Sequence, residues 1–532
     1  MGPTNTRRTW VFAAVAALTI VLALTDWPVR VLWPPLAALA VIIVTRHALI
    51  GLLAGGFAGA ILIRGGDPVT AVPDLLTDHL IPSLESPWKL GAIAFTFILG
   101  GFAAILERGG GFATLMKKFG GGRRNVETGA IALGILCFFD GLANSMVVGR
   151  VTRDLADRSG TARVKLAYIA DSTSSAVACV ALVSTWIAFQ LTMIDDAYKM
   201  AGRTVNPYGV FLESLPYNFY CWFTLVLLFV AVRKQFHPGP MGKLVQETEP
   251  TANPKRSSAA TTGNPISALA PLAVLMVSFF VLFIMLGSPR PILPLSRDKL
   301  VAAFGSDAGP MVLVLAASIA VLAAALLFPK RDGGKLMPVV AAFGSGVNAM
   351  IGPIFILLAA WMMGSVLNEL GTAAMISRLA TETSSLAMLP VLTFLTGAAV
   401  SFSTGTSWGT MGLLFPLAIP AAANMGGDDP FLTIIVAAVF SGAVFGDHCS
   451  PFSDTTIVTS ISCGVEPHDH VRTQIPYALI TAAVAIVAGF LPAGLGVPGY
   501  VSLLVGAIVL LMLPRLFGRL SRGLSPQGTV PP

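Results

Sequence analysis

Long runs of apolar residues, each about the length of a membrane crossing, alternate with short polar segments along most of the chain. A spanning helix needs roughly 20 apolar residues to cross about 30 Å of hydrocarbon. The first run is predicted to be a retained helix and not a signal peptide, because no small-residue cleavage site follows it before Asp26. The pattern predicts an all-α polytopic membrane protein with twelve transmembrane helices, at residues 10–24, 31–45, 47–63, 89–107, 166–194, 216–232, 265–287, 309–328, 352–369, 431–462, 473–492 and 500–514.

Two further apolar segments, 126–149 and 387–418, differ from simple spans in the charges that flank them. Lys and Arg lie on both sides of the first segment, and positive charge marks the cytoplasmic face, so both of its ends are predicted inside. The second follows Arg378 and precedes Asp428, with no Lys or Arg between 379 and 471, so its ends are predicted outside. Each segment is therefore predicted to be a re-entrant hairpin.

The distribution of Lys and Arg also predicts the orientation of the whole chain. With twelve spans and two hairpins, both termini are cytoplasmic, and 25 of the 34 Lys and Arg residues then lie inside and 9 outside. This bias agrees with the positive-inside rule. We expect a multi-pass protein of the cytoplasmic membrane, in contact with its lipid.

The two halves of the chain show the same features in the same order. In each half an amphipathic arm (Gly111 to Phe119, Thr372 to Leu379) precedes the hairpin, and a long apolar segment with a polar interruption (166–194, 431–462) follows it. Because the hairpins enter from opposite sides, the repeats are predicted to be inverted, which is typical of secondary transporters with broken helices. The predicted organisation is N-terminal helices 1–88, first repeat 89–232, cytoplasmic linker 233–263, connecting helices 264–336, second repeat 337–492, and last helix with tail 493–532.

Composition supports this architecture and excludes other classes. The chain is 55% hydrophobic and 11% charged, with a mean hydropathy of +0.78, whereas soluble chains carry about 25% charged residues. These values exclude a soluble enzyme and a disordered scaffold. The net charge of +7 is attributed to cytoplasmic loops and not to nucleic-acid binding. Five cysteines lie in or beside apolar stretches, as small apolar side chains and not as a disulfide framework.

Acidic residues are rare within the predicted spans and hairpins, and four of them lie at polar interruptions. They are Asp140 at the first hairpin tip, Asp171 in the first broken helix, and Asp447 and Asp454 in the second. A single intramembrane Asp is often structural, but each charge at the bilayer centre costs on the order of 2.5–3.5 kcal/mol, so four are predicted to share a function. Removal from water favours the protonated acid, so an arriving cation can displace the proton and couple the two fluxes.

Neutral oxygen donors lie beside these acids, as expected for a hard alkali cation, although membrane Ser and Thr also often bond to the backbone. The candidates are Ser450, Ser453, Thr455 and Thr456 in the second broken helix, and Asn144, Thr173 and Thr406 in the facing elements. No Lys or Arg falls within the four interruptions, which favours a cation over an organic anion. His448 is predicted to be a pH-responsive neighbour. Trp186 and Trp408 are predicted to be packing residues.

A transition-metal site in an intramembrane enzyme is the alternative from a different class. The residue types suit zinc, but their spacing matches no metal motif, since H-E-x-x-H is absent. His468 and His470 are expected to be solvated at a cytoplasmic end. We therefore expect neither a metal site nor enzymatic activity. The ligands in this alternative would be Asp447, His448, Cys449, Cys463, His468 and His470.

The second interruption carries a specific resemblance. Residues 442–456, which read Gly-Ala-Val-Phe-Gly-Asp-His-Cys-Ser-Pro-Phe-Ser-Asp-Thr-Thr, closely resemble the signature of the NhaC-type sodium/proton antiporter family of the ion-transporter superfamily. Two departures occur in the first half: Asp140 is a single acid where paired acids are typical, and Ser174 and Ser175 occupy the place of a proline. Further segments similar to the family are 140–149, 165–173, 184–186, 406–410 and 466–477.

The resemblance implies a Na⁺/H⁺ antiporter without a cofactor, in which a hairpin-bearing transport unit moves against a scaffold, and it makes a homodimer the expected partner state. Asp447 and Asp454 would then be the principal carboxylates for cation and proton. The family also includes members that exchange organic acids. A Na⁺- or H⁺-coupled transporter of malate- or lactate-like acids, or of amino acids, is therefore the alternative.

Overall fold

The computed structural model describes residues 3–248, 263–290, 292–293, 296–304, 306–329, 336–383 and 385–523, and within them the chain is helical without β-strands. Parts of the predicted linker and tail, at 249–262 and 524–532, lie outside the described residues. The α-helices are α1 (Pro3–Ala23), α2 (Trp33–Thr45), α3 (Ala48–Ile63), α4 (Pro68–Asp74), α5 (Pro87–Gly109), α6 (Gly111–Met116), α7 (Arg123–Leu136), α8 (Gly141–Ser159), α9 (Arg163–Val180), α10 (Thr185–Met200), α11 (Pro207–Ser214), α12 (Phe219–Arg233), α13 (Met241–Glu247), α14 (Ile266–Gly287), α15 (Arg297–Phe304), α16 (Gly309–Leu326), α17 (Met337–Ala349), α18 (Ile351–Glu369), α19 (Thr372–Thr383), α20 (Leu389–Thr404), α21 (Ser407–Asn424), α22 (Asp429–Cys449), α23 (Asp454–Cys463), α24 (Pro467–Val484), α25 (Leu491–Gly494) and α26 (Gly499–Gly523).

Among the described residues, fewer helices meet the length and hydropathy of a membrane crossing than the sequence predicts. Within the described residues eight helical segments are long and apolar enough to cross a membrane, or eleven if each of three bent helix pairs is one span. The predicted spans 10–24 and 500–514 correspond to the apolar segments Thr9–Ala23 and Gly499–Arg515, which lie within the longer helices α1 and α26. Leu386–Thr404, predicted as part of a hairpin, is itself long enough. The prediction of twelve spans is therefore not confirmed.

The first predicted hairpin is two helices joined by a short turn, α7 and α8. Asp140 precedes α8 with extended backbone, and its carboxylate accepts a hydrogen bond from the Ala143 amide at 2.7 Å, so it caps the helix. The helix continues to Ser159, ten residues beyond the predicted end at 149, and stops before Gly160, whose φ is +71°. The helix–turn–helix form agrees with a hairpin, while its re-entry into a membrane stays a prediction.

The second predicted hairpin is formed by α20 and α21. Gly405 follows α20 with φ at +69°, and a Cβ there would lie 2.6 Å from the Phe452 backbone, so only glycine fits this turn. Thr406 then caps α21 by accepting a hydrogen bond from the Gly409 amide at 3.1 Å. The amphipathic arms before the hairpins are also helical, at α6 and α19.

The first broken helix is interrupted ten residues later than its polar residues predict. Asp171 to Ser175 lie inside α9, which is continuous to Val180, and the break spans 181–184 with a bend of 44° before α10. The polar run does not break the helix because hydroxyl groups bond carbonyls of the preceding turn: Thr173 donates to the Ile169 carbonyl at 2.9 Å. Ser184 then caps α10 by accepting from the Ile187 amide at 3.2 Å.

The second broken helix is interrupted where the sequence predicts. The break spans Ser450–Ser453, between α22 and α23, and contains Pro451, which cannot continue a helix. The Ser450 hydroxyl donates to the Phe402 carbonyl of α20 at 2.7 Å, so the break is held against the second hairpin.

Helices α20 and α22 pack with their backbones in close approach. A Cβ at Gly442 would lie 2.7 Å from the Phe394 carbonyl oxygen, and one at Gly446 would clash with the backbone of Ser401 and Phe402. Small residues at such positions let membrane helices approach closely. The first arm of the second hairpin and the second broken helix are thereby joined along their length.

Candidate functional site

Residues of both hairpin tips and residues beside both helix breaks line one cavity of about 80 Å³. Several helices therefore begin or end at the same place, and their polar end groups face a shared space. Residues 350, 353 and 356, at and beside the start of α18, close the cavity on the apolar side. The polar and aromatic part of the lining comes from Asp140, Trp186, Thr406, Ser407, Trp408, Asp447, Asp454 and Thr455.

Asp447, at the end of α22, is a carboxylate that connects the two halves of the chain. One oxygen accepts a hydrogen bond from the Ser453 hydroxyl in the second break at 2.7 Å, and the other accepts from the Ser175 hydroxyl of α9. The residue is 4% exposed yet reaches the cavity. Asp447 is thus buried, held by neutral donors from both halves, and accessible to a small ligand.

Asp454 begins α23 and lies on the other side of the same break. Its side chain is exposed, it lines the cavity, and its carboxylate has no hydrogen-bond or ion-pair partner among the described residues. Thr455 lies next to it in the lining, and its hydroxyl is 2.9 Å from that of Ser453. This arrangement leaves one carboxylate free to bind a cation, with neutral oxygens close by.

Asp140 also lines the cavity, but both of its carboxylate oxygens are engaged. Besides capping α8, it accepts a hydrogen bond from the Thr185 hydroxyl at 2.8 Å, and the Thr185 amide donates to the Phe139 carbonyl at 2.9 Å. The first hairpin tip is therefore fastened to the start of α10 through Asp140.

Asp171 lies in a closed cluster and does not line the cavity. One carboxylate oxygen is 2.8 Å from the Gln474 amide nitrogen, 3.1 Å from His470 Nε2 and 3.2 Å from the Thr456 hydroxyl. Both Asp171 and His470 are 0% exposed, so the expectation of a solvated His470 is wrong, because α24 turns this residue inward. His468, two residues earlier, is exposed as expected.

His448 is buried and bonded at both ring nitrogens. Nε2 is 2.8 Å from the Ser172 hydroxyl and Nδ1 is 2.9 Å from the Tyr220 hydroxyl, and the side chain does not reach the cavity. Its backbone carbonyl accepts from Gln474. His448 thus joins α9, α12 and α24 behind the carboxylate of Asp447.

Three of the predicted oxygen donors are used in hydrogen bonds to backbone carbonyls. Asn144 donates to the Gly134 carbonyl at 2.7 Å and to the Thr173 carbonyl at 3.0 Å, while Thr173 and Ser450 donate to backbone carbonyls. Thr456 lies one layer behind the cavity and connects Asp171 to the Asp447 carbonyl, 3.1 Å away. Of the predicted neutral donors, Thr406 and Thr455 line the cavity itself.

Several residues that the structure brings to the site are not among the sequence-predicted candidates. Ser172 and Ser175 are three positions apart on α9, so they share a face, and they bond His448 and Asp447 respectively. This helical spacing was the signal that could have identified them. Trp186, predicted to pack, lines the cavity, and Gln474 completes the Asp171 cluster. Across the described parts of the chain, no group of three His, Cys, Asp or Glu side chains is close enough to hold a metal ion.

Comparison with known proteins identifies the family. The sequence profile of the Na⁺/H⁺ antiporter family matches residues 177–495, which include α10 and both elements of the second break. This chain belongs to the Na⁺/H⁺ antiporter family. Membership agrees with a multi-span helical membrane protein and points to a transporter of a cell membrane.

Three relatives of this antiporter-family member differ in how much of the chain they cover. An uncharacterized protein of Haemophilus influenzae is 30% identical over 90% of this chain and 94% of its own length. The malate-2H⁺/Na⁺-lactate antiporter of Bacillus subtilis is 38% identical over 18% of this chain and 20% of its own. The Na⁺/H⁺ antiporter NhaC of Alkalihalophilus pseudofirmus is 33% identical over 28% of this chain and 32% of its own.

A solved structure shares the fold of this antiporter-family member. The Alcanivorax borkumensis YdaH transporter superposes with a TM-score of 0.59, covering 84% of this chain and 90% of its own, at 16% identity. At this identity the likeness supports the arrangement of helices and not the substrate.

Proposed function

We propose that the protein exchanges Na⁺ for H⁺ across the cytoplasmic membrane, with Asp447 and Asp454 as the carboxylates for which the two ions compete. The observation that carries this proposal is the free carboxylate of Asp454, which faces the cavity beside the break and has no partner among the described residues. The carboxylate of Asp447, which is 4% exposed, is neutral when it holds a proton, and an arriving cation restores the ionised form. One site therefore holds either ion, and each displaces the other.

The donor set at the break suits a small hard cation. Such ions bind oxygen ligands, and the cavity offers the Asp454 carboxylate, an oxygen of Asp447 and the hydroxyl groups of Thr455 and Thr406. Non-helical backbone at membrane depth is tolerated where it lines a cavity or is buried in protein, and Asp447 and Asp454, on either side of the second break, line the cavity. Asp171 and His470 lie one layer behind, connected through Thr456. We propose that this buried pair holds the cavity residues in place.

The orientation with both termini cytoplasmic is also proposed, because it places most Lys and Arg inside. The five native cysteines are buried, so an added cysteine reports its own side of the membrane. An impermeant maleimide applied to intact cells should label an Asp26→Cys variant and not a Lys243→Cys variant, both positions being exposed. The reverse labelling would contradict the orientation.

The function is tested with purified protein in proteoliposomes that carry a proton gradient and a pH-sensitive dye. Addition of Na⁺ should collapse the gradient, addition of choline should not, and Li⁺ and K⁺ define selectivity. Asp454→Asn should abolish the Na⁺ response while the variant stays folded in detergent. Asp469→Asn is a matched control, because Asp469 is exposed near the start of α24 and away from the cavity. Exchange that survives in Asp454→Asn would overturn the assignment.

A further inference from the structure

The turn between α2 and α3 lies outside both predicted repeats but contacts the second hairpin. Helix α2 ends at Thr45 and α3 begins at Ala48, so the turn consists of Arg46 and His47. A Cβ on Gly409, in the first turn of α21, would lie 2.9 Å from the Cβ of Ala48. We call residues 45–48 the α2–α3 corner. The corner packs directly on the helix that begins at the second hairpin tip.

The side chain of Arg46 binds two elements of the site at once. Its guanidinium group donates a hydrogen bond to the Ser403 carbonyl, in the last turn of α20, at 2.5 Å. The central carbon of the same group lies 3.5 Å from the centroid of the Phe452 ring, in the second break. A charged hydrogen bond and a cation over an aromatic face are both attractive contacts. One side chain thereby holds the end of the hairpin arm and the break.

The backbone of Arg46 has a conformation that arginine rarely adopts. It follows α2 in the left-handed region, with φ at +60° and ψ at +29°. Among the described residues, Arg46 and Gln235 are the non-glycine residues with a positive φ. Glycine is the usual residue after a helix that ends this way, and residues held in such a conformation cluster at clamps and switch regions. The two contacts of its side chain give a reason for arginine at this position.

The two partners of Arg46 directly precede residues that line the cavity. Ser403 is followed by the lining residues 405–407, and Phe452 is followed by Asp454 and Thr455. The carboxylate of Asp454 is also within electrostatic range of His47. The corner therefore lies across the hairpin tip and the break, on the side of the cavity next to Asp454.

The other side of the corner belongs to a different group of helices. Helix α3 packs closely on α18, since a Cβ on Gly59 would clash with the side chain of Val366 and one on Gly55 would lie 3.1 Å from Met363 Cε. The start of α18 forms the apolar side of the cavity. Arg46 therefore joins the helices on the apolar side of the cavity to the hairpin tip and the break on its polar side.

From this geometry we infer that Arg46 is a latch, which holds the cavity closed while it binds the Ser403 carbonyl and the Phe452 ring and widens the cavity beside Asp454 when it releases them. The inference rests on the proposed function in taking this cavity as the ion site. Arg46 acts through the hairpin and the break, so it is a positioning residue. It lies outside residues 177–495, which match the family profile, and the polar interruptions contain no Lys or Arg of their own.

The latch is tested by the reactivity of a cysteine placed in the cavity of the full-length protein in detergent. Ser407 lines the cavity and is 4% exposed, and the five native cysteines are buried, so the protein without an added cysteine gives the background. The Ser407→Cys variant should react slowly with 2-aminoethyl methanethiosulfonate. Adding Arg46→Gly should accelerate the reaction about tenfold or more, because both contacts are lost. Arg46→Lys should stay near the slow rate, because its ammonium group can still donate to the Ser403 carbonyl and lie over the ring.

Three controls separate a latch from a general loosening of the fold. Glycine adopts a positive φ freely, so Arg46→Gly keeps the shape of the turn. A cysteine at Ser214, which is buried in α11, should react at the same rate with and without Arg46→Gly. Arg233→Ala removes a guanidinium group that lies over Phe229 of its own helix, and it should leave the reactivity of Ser407→Cys unchanged. Equal acceleration at Ser407→Cys and Ser214→Cys would overturn the latch.

A second variant tests the latch from the partner's side and serves if Arg46→Gly does not fold. Phe452→Leu keeps an apolar side chain and removes the ring, so it should accelerate the reaction of Ser407→Cys less than Arg46→Gly does, because the Ser403 contact remains. The two substitutions together should be no faster than Arg46→Gly alone, since the ring has then already lost its partner. Additive acceleration would contradict a contact that acts through Arg46.

The outcomes separate this inference from the proposed function. If the protein exchanges Na⁺ for H⁺ and neither Arg46→Gly nor Phe452→Leu accelerates the reaction of Ser407→Cys, the latch is wrong and the exchange proposal stands. If Arg46→Gly accelerates the reaction in a protein without Na⁺/H⁺ exchange, the latch stands and the exchange proposal is wrong.

Discussion

The two helix breaks have similar geometry and different chemistry. At the first break, residues 181–184, the nearby acid is Asp140, and both of its oxygens are bonded to fixed donors. At the second break, Ser450–Ser453, Asp447 and Asp454 flank the break itself, and Asp454 has no partner among the described residues. A hairpin tip contacts each break.

This difference indicates how the repeat is used. A carboxylate whose oxygens already accept hydrogen bonds fastens parts of the protein together, whereas one that faces a cavity unbonded is available to a ligand. Under the proposed function, the first half of the site would therefore supply mainly attachment and the second half mainly ion chemistry. Paired acids are typical of the NhaC-type family at the position of Asp140. The single acid in this chain is consistent with this division.

The strongest test replaces one carboxylate by an amide at each of the two breaks. Asp447→Asn should reduce Na⁺/H⁺ exchange in proteoliposomes to background, because the amide cannot alternate between proton and cation. Asp140→Asn should remain well above background, because its side-chain oxygen can still accept from the Ala143 amide. Equal loss in both variants would show that the two breaks share one chemical role.

A second test concerns the contact between the halves at Asp447. Ser175→Ala removes a hydrogen bond to a buried charged acceptor, which contributes about 1.5–3 kcal/mol, so the apparent Na⁺ affinity should change about tenfold or more. The measurement is the Na⁺ dependence of the dye response. Ser278→Ala is the control, since that hydroxyl bonds a carbonyl within α14. An unchanged Na⁺ affinity in Ser175→Ala would show that α9 does not contribute to the ion site through this hydrogen bond.

The third test measures stability in place of transport. Asp140→Ala removes a helix cap, which costs about 1–2 kcal/mol, and it also leaves Thr185 without its partner, so the melting temperature in detergent should fall. Asp454→Ala should leave the melting temperature nearly unchanged, because this carboxylate has no partner to lose. A larger decrease of the melting temperature in Asp454→Ala than in Asp140→Ala would contradict the attachment role assigned to Asp140.

The smallest expected effect comes from a histidine outside both breaks. It concerns the pH dependence of folding stability and not that of ion exchange. His237 lies between α12 and α13, where burial and the positive charges of Lys165 and Arg123 lower its pKa from 6.5 to about 4. Between these values the unfolded chain binds a proton that the folded chain does not, so stability decreases as the pH falls through this window.

The His237 effect is measured by thermal unfolding of the detergent-purified protein at pH 7 and pH 4. From pH 7 to pH 4, the melting temperature of His237→Gln should fall less than that of the wild type. His468→Gln is the control, because His468 is exposed. A loss in His237→Gln as large as in the wild type would place the pH sensitivity elsewhere.

The parts of the structure with a strong local signal were predictable from the sequence. Apolar length located most of the helices, and Pro451 marked the second break, because proline has a fixed effect on a helix. The first break has no such marker: residues 181–184 read Ala-Leu-Val-Ser, while the polar run that suggested a break satisfies its hydroxyls within α9. The count of twelve spans is not confirmed, because eight helical segments, or eleven with each bent pair taken as one span, meet the length and hydropathy of a crossing within the described residues.

The assembly of the site was less predictable, because it depends on contacts distant in sequence. Asp447 could be identified as unusual from its apolar surroundings, yet its bond to Ser175 joins residues 272 positions apart. His470 follows Glu466 and Pro467 and looks terminal, and only the packing of α24 turns it toward Asp171. The four acids were identifiable as a set, but not their division between cavity and closed cluster.

The glycine contact between α20 and α22 has a mechanical consequence. With no side chain between the two backbones at Gly442 and Gly446, the helices cannot slide or separate without opening a gap that nothing fills. The first helix of the second hairpin, α20, and the helix that ends at Asp447, α22, are therefore expected to move as one rigid unit. Under the proposed exchange, a rearrangement that admits an ion would move this unit as a whole, and α18, whose start also lines the cavity, would be the surface against which it moves.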